Sequence, residues 1–167
     1  MVNYGEKFEK AFNYVVANEG GYVFDLNDPG GETKYGISKR SYPTLNIKAL
    51  TLDEAKKIYY QDFWLKGKFE QINDKNVATQ LFDFVVNFGF RAGITIVQRA
   101  LRAGGIIVKE DGLIGSQTIS AINFSEPRVL LAAMKSEAAG RYRLLAAQNS
   151  KMSKFLDGWL NRAYRVL

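Results

Sequence analysis

Cysteine and histidine are both absent from this sequence, and each absence removes a class of chemistry. Without cysteine there is neither a disulfide nor a thiol nucleophile, and without histidine there is no histidine-based triad or zinc site of the usual type. Acid–base chemistry therefore falls to Asp, Glu, Lys or Tyr. No metal or other cofactor is expected: Phe69 follows the only Gly-Lys pair, and Pro29 and Gly36 break the pattern of a calcium loop.

Long hydrophobic runs are also missing, so no membrane span is expected. The first residues, MVNYGEKFEKAFNYV, lack the apolar core of an ordinary signal peptide. We therefore expect a protein that works in the cytoplasm or leaves it by another route. Its 167 residues, 47% of them hydrophobic, are enough for one compact, monomeric domain with a sizeable core.

Positive charge exceeds negative charge, with a net charge of +6. From residue 126 onward, eight basic residues minus three acidic ones leave +5, so most of the excess lies in the last quarter of the chain. Such an excess favours a polyanionic partner such as a cell wall, an anionic membrane surface or nucleic acid, although a solvated helix face is the commoner explanation. No nucleic-acid-binding motif is present, so we expect no nucleic-acid partner.

Apolar residues at helical spacing predict a mainly α fold with few or short strands. A first helix is expected to end near Asn18. A second begins at Thr51, which forms a capping box with Glu54, and ends near Trp64. A third runs from Asp74 to Asn87, with a break at Phe88-Gly89-Phe90 before the next helix.

The segment from Asn18 to Ser38 is the candidate site. Glu19 stands at a helix end, where the negative end of the helix dipole disfavours a carboxylate charge and raises its pKa, as a general acid requires. A solvated glutamate at a fraying helix is the alternative. Asp28 begins the turn sequence Asp-Pro-Gly-Gly, which is typical of a shaped loop rather than of a continuing helix or strand.

Two stretches of this segment, EGGY at 19–22 and DPGGETKYGIS at 28–38, resemble the signature of glycoside hydrolase family 108. This family contains bacterial and phage N-acetylmuramidases, some of them called secretion activators. The later motifs DFVVNFG, VQRAL and DGLIGSQT are similar to the family's predicted peptidoglycan-binding segment. The resemblance implies a lysozyme-like helical fold, with a muramidase segment at 1–75 and a peptidoglycan-binding segment at 76–167, packed together as one domain.

The implied reaction is cleavage of the β-1,4 bond between N-acetylmuramic acid and N-acetylglucosamine, with Glu19 as the catalytic acid. Phage-type lysozymes space their Glu, Asp and Thr by eight and five intervening residues. Asp28 fits that spacing, whereas Thr33 comes one residue early. Asp25 and Glu32 remain alternatives for the second carboxylate. Substrate contacts are predicted from four residues: Tyr22, Tyr35, Trp64 and Asn87.

The expected partner is the glycan strand of peptidoglycan, in the periplasm or cell wall. A holin or a dedicated secretion route would release the protein from the cytoplasm, as for an endolysin or a secretion activator. A noncatalytic wall-binding or secretion-assisting module on the same fold is the alternative, and a helical nucleic-acid-binding domain is a distant third. A pure binding module has no need of an acid at position 19, so Glu19 favours the enzyme.

Overall fold

Helices make up most of the described chain, which confirms the predicted mainly α fold. The computed structural model describes residues 3–17, 22–24 and 31–167. Its α-helices within these ranges are α1 (Glu6–Val16), α2 (Leu52–Ile58), α3 (Lys75–Phe88), α4 (Phe90–Ala103), α5 (Ser116–Phe124), α6 (Pro127–Gln148) and α7 (Leu156–Tyr164). Three short strands, β1 (Val23–Phe24), β2 (Glu32–Lys34) and β3 (Ile37–Ser38), form an antiparallel sheet in that order.

Helix α3 lies at the centre of the fold, between α1, α4 and α6. The structure buries four of its apolar residues at helical spacing, Val77, Leu81, Phe84 and Val85. It also buries three polar residues, Thr79, Gln80 and Asp83. An amphipathic pattern predicts one buried face, but a helix with neighbours on several sides loses its solvent-facing side as well.

The predicted helix starts are confirmed by their hydrogen bonds. The Glu54 backbone N–H donates to Thr51 Oγ1 (3.2 Å), and the Thr51 backbone N–H donates to Glu54 Oε2 (2.8 Å), which completes the capping box. The Thr51 backbone N–H and the Thr51 hydroxyl both donate to the Glu54 carboxylate, and these two bonds hold the pKa of Glu54 below its usual value. Asp74 caps α3 through its side chain, which accepts from the backbone N–H groups of Asn76 and Val77. Gly89, with φ +80°, separates α3 from α4 at the predicted break.

The second predicted helix does not continue as an α-helix to Trp64. Helix α2 ends at Ile58, and Tyr59–Leu65 form a π-helical segment. Hydrogen bonds in a π-helix join residues five apart, so such residues lie on nearly the same side of its axis. Tyr59 and Trp64 are five apart and are 0% and 1% exposed, so the π geometry turns both rings into the core.

Two of the motifs noted in the sequence bind each other in the structure. Gln98, in VQRAL, is 1% exposed, and its side-chain amide donates to Asp111 Oδ1 (3.0 Å) and to the Leu113 carbonyl (3.1 Å). Its Oε1 accepts from the Gly112 backbone N–H (2.9 Å). Gly112 has φ +71°, and a Cβ there would lie 2.6 Å from Arg91 Cγ. The Asp-Gly turn is therefore fixed by helix α4.

A continuous hydrophobic core joins residues from both halves of the chain. It includes Phe8 and Phe12 of α1 together with Met134 and Ala138 of α6. The predicted segments 1–75 and 76–167 share this core, while the position of the boundary between them stays a prediction. Among the described residues, no helix has both the length and the apolar character needed to cross a membrane.

Candidate functional site

The β2–β3 hairpin carries Thr33 and Tyr35, two of the predicted site residues. Tyr35 and Gly36 form its two-residue turn, with φ +52° and +76°, the left-handed values that a type I′ turn requires. The Tyr59 hydroxyl donates to the Tyr35 carbonyl oxygen (3.0 Å). Since Tyr59 is buried, this bond anchors the tip of the hairpin to the core.

Thr33 is the middle residue of the central strand, paired with Val23 on one side and Ser38 on the other. Side chains alternate between the faces of a strand, so Glu32 extends from the opposite face to Thr33. The Tyr22 hydroxyl donates to Glu32 Oε1 (2.8 Å), and this bond raises the pKa of Tyr22. The structure thus brings Tyr22 to Glu32 rather than to Thr33.

The predicted acid, Glu19, lies outside the described residues, as do Asp25 and Asp28. In the sequence, Glu19 comes two residues after Ala17, the C-cap of α1, and Asp28 comes five residues before Thr33. The predicted catalytic carboxylates therefore lie, in sequence, between α1 and β2, with Glu19 before β1 and with Asp25 and Asp28 after it.

A polar cluster of Tyr14, Asp83, Asn87, Tyr142 and Arg162 forms where α1, α3, α6 and α7 meet. Arg162 Nη2 donates to Asp83 Oδ1 (2.9 Å), and the two side chains are 17% and 0% exposed. With its amide oxygen facing the donors, Asn87 accepts from the Tyr142 hydroxyl (3.1 Å) and from Arg162 Nη2 (3.2 Å). Charged hydrogen bonds of this kind are stronger than neutral ones. They connect α3 to the two C-terminal helices.

The electrostatics of this polar cluster extend to the last turn of α1. The pKa of Tyr14 is raised from 10.0 to about 12, first by burial and then by the negative charge of Asp83. Arg165 and Arg162 oppose that shift, and the Arg165 guanidinium lies 5.1 Å from the centre of the Tyr14 ring. Two arginines therefore supply positive charge near the end of α1, where the helix dipole is negative.

The remaining predicted contacts, Trp64 and Asn87, lie in different surroundings. Trp64 is 1% exposed and packs against Phe8, Phe69 and Phe82, with ring centroids 5.4–5.5 Å apart. A sugar cannot reach it without displacing core residues, so Trp64 is a core residue rather than a direct contact. Asn87 is exposed and belongs to the polar cluster.

Asp83 and Arg162 were missed as candidate residues in the sequence. A signal for Asp83 was present, because it is the one carboxylate in the motif DFVVNFG, where the neighbours are largely apolar. Arg162 offered no comparable signal among the eight basic residues after position 126. Only the fold brings this arginine to α3.

Comparisons with known proteins agree with the resemblance found in the sequence. Residues 12–89 match the family model described as Glycosyl hydrolase 108, and residues 92–164 match the Predicted Peptidoglycan domain. The solved structure of Brucella abortus SagA is similar, with a TM-score of 0.68 and 23% sequence identity over 95% of this chain and 96% of that one. At this identity the likeness concerns the fold alone. No curated protein matches the chain.

Proposed function

We propose that this chain, which carries a glycosyl hydrolase 108 domain followed by a predicted peptidoglycan domain, hydrolyses the β-1,4 bond between N-acetylmuramic acid and N-acetylglucosamine. The observation that carries the proposal is the first match, because residues 12–89 include the whole candidate segment from Asn18 to Ser38. The two matches together associate the chain with peptidoglycan. The site of action is the periplasm or cell wall.

Glu19 acts as the general acid that protonates the leaving oxygen. Glycosidases of this kind use a second carboxylate, and in an inverting enzyme it activates a water molecule across a gap of roughly 6.5–9.5 Å. Asp28 has this role in our proposal, with the Thr33 hydroxyl helping to orient the water. Glu32 is the weaker alternative for this role, because its carboxylate already accepts a hydrogen bond from the Tyr22 hydroxyl (2.8 Å).

Substrate contacts come from exposed groups around this loop. Tyr22 is 40% exposed beside β1, Tyr35 is half-buried at the hairpin turn, and Asn87 is exposed at the end of α3. A phenol and an amide each combine donors and acceptors for the hydroxyl and acetamido groups of the sugars.

A noncatalytic wall-binding or secretion-assisting module is the second candidate. The match of residues 92–164 to the predicted peptidoglycan domain favours it, since wall binding alone would account for that half of the chain. Such a module would bind isolated cell-wall sacculi without releasing new reducing ends.

The deciding experiment compares the unaltered protein, Glu19→Gln and Glu6→Gln on purified sacculi, with reducing-end release as the readout. Loss of the general acid should lower the rate by about two to four orders of magnitude. Glu6 is a matched control at the other end of α1, with 88% of its side chain exposed, and its variant should keep the full rate. Full activity in Glu19→Gln would refute the assigned acid, and an unaltered protein that binds but never cleaves would identify the noncatalytic module.

A further inference from the structure

A groove with a volume of about 430 Å³ lies beside the β2–β3 hairpin. Its walls come from the hairpin, from the π-helical segment and from the junction of α3 and α4, and they are lined by Gly36, Ile37, Tyr42, Asp62, Phe63 and Phe90, among others. Val86 also lines it, next to the predicted contact Asn87, and Gly36 lies next to Tyr35. Its volume is within the usual range for ligand sites, about 300–1,000 Å³.

The floor of the groove is aromatic. The rings of Phe63 and Phe90 are stacked, with centroids 6.0 Å apart and planes 12° from parallel. Both side chains are half-buried and remain accessible from the groove. Phe63 also packs on the buried Tyr59, with ring centroids 5.6 Å apart, which connects this floor to the core. The parts of these two rings that face the groove are apolar surface of the kind that the C–H face of a sugar ring packs against.

The rim of the groove is polar, and the charges of its Asp62–Lys66 ion pair cancel. The Tyr42 hydroxyl donates to Asp62 Oδ2 (2.8 Å), while Lys66 Nζ lies 3.3 Å from Asp62 Oδ1. Burial and the bond to Asp62 raise the pKa of Tyr42, so its phenol stays protonated. The Tyr42 oxygen, the Asp62 carboxylate and the Lys66 ammonium keep further hydrogen-bonding capacity for a ligand.

The backbone that presents these groups is specialised. Asp62 and Phe63 both lie in the π-helical Tyr59–Leu65 segment, which places them differently from the α-helix that the sequence predicts. π-helical turns are rare in proteins and occur frequently at functional sites. The positions of Asp62 on the rim and Phe63 in the floor therefore both depend on the π-helical geometry of this segment.

We propose that this groove is a subsite for an uncharged N-acetylglucosamine unit of the glycan strand. This proposal rests on the proposed function, since the same hairpin carries Thr33 and lines the groove through Gly36 and Ile37. The sugar's C–H face packs on Phe63 and Phe90, and its hydroxyl or acetamido groups bond to Tyr42 and Asp62. Because Asp62 and Lys66 neutralise each other, the rim favours a neutral sugar over the charged stem peptide of peptidoglycan.

The test is a calorimetric titration with tetra-N-acetylchitotetraose, an uncharged oligomer of N-acetylglucosamine, in a full-length Glu19→Gln background that prevents turnover. Tyr42→Phe removes one hydroxyl and should weaken binding about 3- to 10-fold, while Asp62→Asn should weaken it about 10-fold or more. Phe90→Ala removes half of the floor and should weaken binding about 10-fold.

Two control variants make the same kinds of change, loss of a phenyl ring and loss of a carboxylate charge, at positions outside the groove. Phe124→Ala removes a phenyl ring that is 85% exposed on α5, and Glu70→Gln neutralises a carboxylate that pairs with Lys7 (3.6 Å). Neither residue lines the groove, so both should bind the oligomer as the parent protein does. The conservative Tyr42→Phe change keeps the proposal testable if Phe90→Ala fails to fold, which circular dichroism reveals.

The outcomes separate this subsite from the proposed reaction. Unchanged affinity in both Tyr42→Phe and Asp62→Asn, or stronger binding of a free stem tetrapeptide than of the oligomer, would overturn the subsite even if the protein lyses peptidoglycan. Oligomer binding that shifts the NMR amide signals of Gly36 and Phe90 supports the subsite. It would do so even if the unaltered protein releases no reducing ends, a result that would overturn only the proposed reaction.

Discussion

The buried ion pair between Asp83 and Arg162 allows a direct test of how strongly the two halves of the chain depend on each other. Asp83 lies in α3 with 0% of its side chain exposed, and Arg162 reaches it from α7 at a distance of 2.9 Å. Arg162→Met keeps an unbranched apolar stem but removes the cation. The Asp83 carboxylate would then remain buried with less compensating charge than before.

The expected loss of stability follows from this burial. Removing one partner of a buried pair typically costs about 3–5 kcal/mol, because a desolvated charge is left without its counterpart. We expect a free energy of unfolding lower by about 3 kcal/mol, at the low end of that range because Arg162 is 17% exposed. In a domain of this size, each kcal/mol lowers the melting temperature by about 2–4 °C, so the midpoint should fall by about 6–12 °C.

Denaturant unfolding followed by circular dichroism measures the effect, with Arg102→Met as the control. Arg102 pairs with Glu110 at 2.8 Å, but 55% and 28% of these side chains are exposed. Exposed pairs contribute about 0.2–1 kcal/mol, so this variant should lose far less stability. Adding Asp83→Asn and the Asp83→Asn/Arg162→Met double variant gives the coupling energy of the buried pair. Equal losses in Arg162→Met and Arg102→Met would refute the reasoning.

Two further predictions concern packing and pH. Gly93→Ala should destabilise the protein by about 1–3 kcal/mol, because the added Cβ would lie 2.8 Å from Val85 Cα where α3 and α4 cross. Gly140→Ala in α6 should instead stabilise the protein by about 0.4–1 kcal/mol, because the added Cβ meets no atom within 4 Å. Thermal melts in which Gly140→Ala unfolds at a lower temperature than Gly93→Ala would contradict this. Because the pKa of Tyr14 is raised from 10.0 to about 12 in the folded protein, its neutral phenol contributes stability that is present below pH 10 and is lost as the pH rises toward 12. Tyr14→Phe should therefore flatten the fall in stability across that window, and an unchanged slope in denaturant titrations at several pH values would argue against it.

Sequence patterns predicted the features that depend on neighbouring residues. The capping box of Thr51 and Glu54 and the break at Gly89 were both predicted correctly, since each needs only a few consecutive residues. The π-helical segment was not predicted, because it depends on burying both Tyr59 and Trp64 against residues distant in the chain. Residue type alone also could not distinguish Trp64, a core residue, from an aromatic residue in a cleft.

The same distinction between local and distant causes explains why the polar cluster could not be predicted. A carboxylate with no exposure is costly unless a cation accompanies it. Arg162 pairs with Asp83 from 79 residues away, in the segment that matches the predicted peptidoglycan domain, whereas Asp83 belongs to the segment that matches glycosyl hydrolase 108. Residues 12–89 alone lack this arginine. The C-terminal helices are therefore part of what stabilises α3, and the end of α1 lies against this same group of charges.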